Sequence, residues 1–143
     1  MVYECIDKSK SSRHSLLSLA NMKHDKIHFR AEFTIAKGKT EEYKKLVQKM
    51  SRIVEDNEPD TINYQFYLNL EGTKCIVHEE YSNSEAVFAH MSGIASQTVL
   101  PKIFMVSKIS KFDVYGSPSK ELQDAIKSFD PQIYNLFVGF SRG

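Results

Sequence analysis

Between Thr61 and His90 the chain compresses two strand-like runs and a helix start into one short stretch, and no other segment leaves so few folding options. Thr61 to Leu70 and Lys74 to Tyr81 are rich in β-branched and aromatic residues, and only Glu71-Gly72-Thr73 lies between them. That spacing predicts a β-hairpin with a three- or four-residue loop. Ser82 with Glu85 three residues later has capping-box spacing, so a helix is expected to spring directly from the second strand. Alternation within a strand puts Glu79 and Tyr81 on one face, and His90 falls about two turns into the helix. An acid, a phenol and an imidazole can therefore meet at one end of a sheet.

The flanking chain extends this unit. In Lys26 to Ile35, Ile27, Phe29, Ala31, Phe33 and Ile35 alternate with His28, Arg30, Glu32 and Thr34, the pattern of a half-buried first strand. After a turn at Ala36 to Lys39, Thr40 is a candidate cap for a helix with Glu41 and Glu42 in its first turn. Tyr43, Leu46, Val47, Met50, Ile53 and Val54 form its apolar stripe, and Glu58-Pro59 ends it. In the hairpin, Ile62, Tyr64, Phe66, Leu68 and Leu70 share a face; Val87, His90, Met91 and Ile94 share a stripe of the helix after it. Leu100 to Met105 suits a short helix with Pro101 near its start, and Ser107 to Tyr115 a last strand. The order β-α-β-β-α-β is an α+β, ferredoxin-like plan: a four-stranded antiparallel sheet with two helices on one face. Ser117-Pro118 then predicts a further helix through Phe129, and Gln132 to Phe140 a fifth strand along a partner's sheet or its edge. The expected organisation is a flexible leader over 1–25, a core domain over 26–116 and a helix-strand extension over 117–143.

Composition excludes several functions. Nineteen basic against eighteen acidic residues leave a formal charge of +1, so no broad positive field exists to hold nucleic acid. No apolar run reaches the roughly 20 residues of a membrane span. The balance of 41% hydrophobic and 26% charged residues is that of a soluble globular domain. Cys5 and Cys75 belong to no cluster, which suggests free thiols in a reducing cytoplasm. No H-E-x-x-H motif, clustered His/carboxylate set or glycine-rich nucleotide fingerprint is present, so neither a metal nor a nucleotide is expected.

Glu79-x-Tyr81, Ser84-Glu85-Ala86, His90, Glu32 in the first strand and Glu58-Pro59 before the hairpin together resemble the antibiotic biosynthesis monooxygenase family, over about residues 26–115. The resemblance implies a homodimeric α/β barrel, two sheets packed face to face, with a small pocket in each subunit between sheet and helices. It also implies oxidation of a small aromatic or quinol by O₂ without metal, flavin or other cofactor. Haem-degrading relatives carry an Asn-Trp-His set, and this chain contains no tryptophan. A base, an apolar ring pocket and donors for reduced oxygen are what such chemistry needs. His90 is the candidate base, with Glu79 and Tyr81 as supports; Phe33, Tyr64, Phe66, Met91, Ile94 and Phe104 are candidate substrate contacts. Each has a plainer reading, as a satisfied core histidine, as a salt bridge from Glu79 to Arg30, or as packed aromatics. A non-catalytic, small-molecule-binding or stress-related homodimer predicts a pocket with all polar groups paired, or none. Isomerisation of a sugar-like metabolite predicts a polar one.

Overall fold

A computed structural model describes residues 25–142 of the 143, so the leader lies almost entirely outside the described residues. Among the described residues five strands form one sheet, β1 (Ile27–Ile35), β2 (Thr61–Leu68), β3 (Lys74–Tyr81), β4 (Ser107–Tyr115) and β5 (Gln132–Tyr134), in the order β2-β3-β1-β4-β5. The four longer strands pair antiparallel, with β1 between β3 and β4, which is the ferredoxin-like arrangement. The helices are α1 (Thr40–Asn57), α2 (Ser84–Ser92), α3 (Ile94–Thr98), α4 (Leu100–Val106) and α5 (Lys120–Ile126), the last running into a 3-10 turn over Lys127–Phe129. No helix among the described residues is long and apolar enough to cross a membrane.

Alternation in β1 is strict: Ile27, Phe29, Ala31, Phe33 and Ile35 are buried and the residues between them half-buried. Register carries this face across the sheet, because Phe29 lies opposite Glu79 on one side and Val114 on the other, and Ala31 opposite Val77 and Phe112. Tyr43, Val47, Met50 and Val54 of α1 pack onto it, each fully buried apolar side chain contributing about 1.5–3 kcal/mol of transfer free energy. Leu122 and Ile126 of α5 join the same core. On the sheet's other face, rings run from Tyr67 through His78, His28 and Tyr115 to Tyr134, neighbouring centroids being 5.3–5.6 Å apart. Arg30, on that face too, reaches Glu32 and Asp113. It is thus a polar and aromatic surface.

Several local expectations change. The hairpin strands stop at Leu68 because Asn69 Oδ1 accepts from the Thr73 and Lys74 amides and closes a longer loop. A register shift between Thr61 and Asn63 turns Ile62 outward; Ile62, Leu68 and Leu70 are exposed. Thr40 does not cap α1; its hydroxyl donates to the Gly72 carbonyl (2.7 Å), tying the helix start to the hairpin loop. Asn83 rather than Ser82 caps α2, its Oδ1 accepting from the Ala86 amide (2.9 Å). Ser119, not Ser117, caps α5 by accepting from Leu122, while its own amide donates to Ser84 Oγ and joins α5 to α2. The fifth strand is three residues long and runs parallel to β4 at the edge of the chain's own sheet. It ends where Asn135 Nδ2 turns back to donate to the Gly116 carbonyl.

Candidate active site

Three elements deliver a line of ionisable groups to the helix-covered face of the sheet. Glu79 comes from β3, opposite Phe29; His90 from the last turn of α2; and Glu58 from the residue that ends α1, where Pro59 forbids another helical turn. His90 is 6% exposed and Glu58 8%. Nδ1 of His90 lies 2.7 Å from Glu58 Oε1, and its Nε2 3.5 Å from Glu79 Oε1. Tyr81 donates its hydroxyl to Glu79 Oε1 (2.9 Å), and Thr61 donates to Glu58 Oε1 (3.1 Å). The Tyr64 and Tyr81 rings pack 5.3 and 5.5 Å from the imidazole. The carboxylates address opposite ring nitrogens and so do not converge on one point. Among the described residues no three His, Cys, Asp or Glu groups could hold a metal ion.

Electrostatics follow from this line. Burial pulls the His90 imidazolium down, but the Glu58 hydrogen bond and the charges of Glu79 and Glu58 together outweigh it, and the net displacement is upward. Burial raises Glu79 against the opposing pull of His90 and the Tyr81 hydrogen bond. The Tyr64 and Tyr81 phenols are driven well above their usual range by burial and then by Glu79, so both remain donors. In the neutral imidazole, the close Glu58 contact holds the proton on Nδ1 and leaves the Nε2 lone pair facing Glu79.

Beside the line lies a cavity of about 240 Å³, walled mainly by aromatic and aliphatic side chains, with Glu79, His90, Tyr64, Tyr43 and Ser96 as its polar members. Phe33, Phe66, Met91 and Phe104 also line it, as the sequence suggested. Ile94 does not: Gly93 ends α2, the helical spacing from His90 is lost, and Ile94 is 59% exposed. Tyr81 is not in the wall either; it stands behind Glu79, where its hydrogen bond fixes the carboxylate. Arg30, on the opposite face, leaves Glu79 to His90 and Tyr81. The sequence reading used Glu58 only in the Glu58-Pro59 pair of the family resemblance and gave it no role in the site. It also missed Ile126 and Phe129 of the extension, which line the cavity beside Phe112. The apolar wall does not suit a sugar-like metabolite. The buried Tyr43 hydroxyl and Glu58 Oε2 lack a hydrogen-bond partner among the described residues, so internal pairing is incomplete.

Exchange of Glu58 for Gln tests the electrostatic reading. Folded His90 titrates above its unfolded value, so the pair's contribution to stability is fully present below about pH 6.5 and is lost as pH rises through the folded value. Glu58→Gln is expected to lower Tm most below that pH and progressively less above it, in a series of melts from pH 5 to 9. A pH-independent loss would refute the charge contribution.

A sequence model of the family described as antibiotic biosynthesis monooxygenase matches residues 27–99. Among solved structures, MupZ from Pseudomonas fluorescens superposes with a TM-score of 0.72 at 22% identity, over 82% of this chain and 94% of that one. A conserved protein from Methanosarcina mazei Go1 gives 0.58 at 16%, over 68% and 98%. SnoaB, a cofactor-independent oxygenase from Streptomyces nogalater, gives 0.57 at 9%, over 67% and 96%. At such identities the likeness is one of fold. No curated protein sequence matches at a significant level.

Proposed function

The chain belongs to the antibiotic biosynthesis monooxygenase family, and from that premise we propose that it is a cofactor-independent monooxygenase acting on a small aromatic or quinol. The observation that carries this reading is the Glu58–His90–Glu79 line opening on an apolar cavity, an arrangement able to take a proton from a phenol while holding its ring out of water. The substrate hydroxyl docks against His90 Nε2 and Glu79 Oε1. Nε2 takes the proton, Glu58 holds the imidazolium through Nδ1, and the electron-rich phenolate remains beside the apolar wall. O₂ is the oxidant. For a phenol with a free ring C–H para to the hydroxyl, one oxygen atom joins that carbon, the other leaves as water, and the product is the quinone; the substrate's own O–H and C–H bonds supply the electrons. Tyr64, still protonated, is the donor that stabilises developing charge on oxygen.

A second copy of the chain belongs to this reading as the partner for the ring-bearing open face of the sheet, giving a homodimeric barrel. Sedimentation equilibrium tests that assembly, and a monomer at micromolar concentration would refute it. Incubation with naphthols and hydroquinones under ¹⁸O₂ tests the reaction. The expected product gains one labelled oxygen atom, with oxygen uptake above the blank rate of autoxidation. Uptake equal to the blank for every member of the panel, or label entering only from water, would favour a non-catalytic binding protein of the same fold.

A further inference from the structure

Resting on the proposed chemistry, the geometry points to a second, apolar subsite at the outer end of the cavity, completed by the C-terminal extension and shaped for a hydrocarbon tail on the phenolic substrate. The cavity is longer than one ring. Glu79 lies opposite Phe29 in the sheet register, while Phe33, four residues further along β1, lies opposite Cys75. At about 3.3 Å per residue that separation is about 13 Å, roughly twice the span of a single ring. Both phenylalanines line the cavity, so its wall runs this whole distance.

At the far end the rings form a collar. Phe104 stacks on Phe33 with centroids 6.1 Å apart, Phe129 stacks on Phe104 at 6.5 Å, and Phe129 meets Phe112 edge-on at 6.0 Å. Phe112 in turn contacts Phe29 at 4.9 Å, which closes the path back toward the ionisable groups. Phe104 and Phe129 are 38% and 39% exposed, whereas His90 is 6% exposed, so the collar is the solvent end and the imidazole the inner end. Phe129 comes from outside the residues that match the family, on the 3-10 turn after α5. Asp130, at φ 51°, ends that turn and reverses the chain, which presents the Phe129 ring to the cavity. The Tyr43 ring lies 6.3 Å from that of Phe33 and brings a phenol, kept neutral by burial, to this outer half, but no carboxylate, amine or imidazole among the described residues lines it. A head group seated at His90 and Glu79 therefore leaves about half of this length for an apolar tail, about five carbons, so that a hexyl chain reaches the collar.

Calorimetric binding of 3-alkylphenols, from methyl to hexyl, which leave the para C–H free, measured without oxygen, tests the subsite. Wild-type affinity is expected to rise by about 100-fold from methyl to hexyl, less than the ideal transfer gain for five methylenes. Phe129→Ala is expected to weaken hexylphenol by about tenfold and methylphenol by less than about twofold, with Phe129→Leu between the two. Equal affinity across the wild-type length series, equal losses for short and long tails in Phe129→Ala, or no binding by any member would overturn the inference. The length series needs no variant to fold and no turnover, so it fails separately from the oxygenase reading: that reading falls if tail-dependent binding persists without oxygen uptake.

Discussion

Replacement of His90 by alanine is expected to lower kcat/KM for oxygen-dependent turnover by about 10²–10⁴-fold, the range found when a positioned acid–base group is lost. Only the imidazole bridges the two carboxylates, with 2.7 Å to Glu58 and 3.5 Å to Glu79, and neither carboxylate can take over both contacts. The substitution has a structural cost as well. Without the imidazole, two buried carboxylates face each other across the vacated ring, and truncating one partner of a buried pair costs about 3–5 kcal/mol. Part of any activity loss could therefore come from unfolding, and Glu79→Gln supplies the control, since it keeps shape while removing charge. Oxygen uptake on an electrode, with both variants matched to wild type by circular dichroism, reads the result. Folded variants with unaltered uptake would remove His90 and Glu79 from the mechanism.

Gly116→Ala is the substitution expected to cost most stability away from the site, about 3 kcal/mol or more from backbone strain and steric overlap combined. Gly116 has φ 122°, and a Cβ there would sit 2.6 Å from the Lys26 carbonyl oxygen, a backbone atom that cannot rotate away. Its amide donates to the Tyr134 carbonyl (2.9 Å), and its carbonyl accepts from Asn135, so this residue fastens the extension to the edge of β4. Gly38→Ala, also at positive φ but with nothing within 4 Å of the added Cβ, is expected to cost only about 1 kcal/mol. Urea denaturation compares the two. Similar midpoints for both variants would contradict the overlap argument. Since Phe129 reaches the cavity through this segment, Gly116→Ala should also weaken binding of long-tailed phenols more than short ones.

Strand and helix order was legible because it is local. The alternation of Ile27 to Ile35 and the spacing of Tyr43, Val47, Met50 and Val54 each describe one element burying one face, and the structure shows those faces buried. The Glu79–Tyr81–His90 convergence was legible for the same reason, all three lying within one strand and the helix that follows. Glu58, though part of the family pattern, had no legible place in the site, since its proximity to His90 depends on how α1 crosses the sheet. Ile94 failed where Gly93 broke a helix that apolar spacing alone would have continued. The caps slipped by one or two residues because Ser82 and Asn83, or Ser117 and Ser119, are comparable acceptors, and only the path of the preceding strand or turn decides between them. Phe129 could not be placed from sequence, because an aromatic ending a helix is equally at home in a core, on a surface or in a pocket wall.

The central position of β1 sets an order of events for a chain emerging from a ribosome. The strand is made before either neighbour, and both of its edges stay unsatisfied until β3 and then β4 have been synthesised, with Ile27 waiting for Tyr81 and His28 for Tyr115. Its alternating apolar residues are exposed until α1 follows, and its edges stay able to pair with other nascent strands throughout that interval. Amphipathic α1, next to be made, is the first segment that can shelter the Phe29–Phe33 face, and it can do so before any sheet exists. Nascent chains released between α1 and β4 should therefore depend on chaperones far more than the finished domain does.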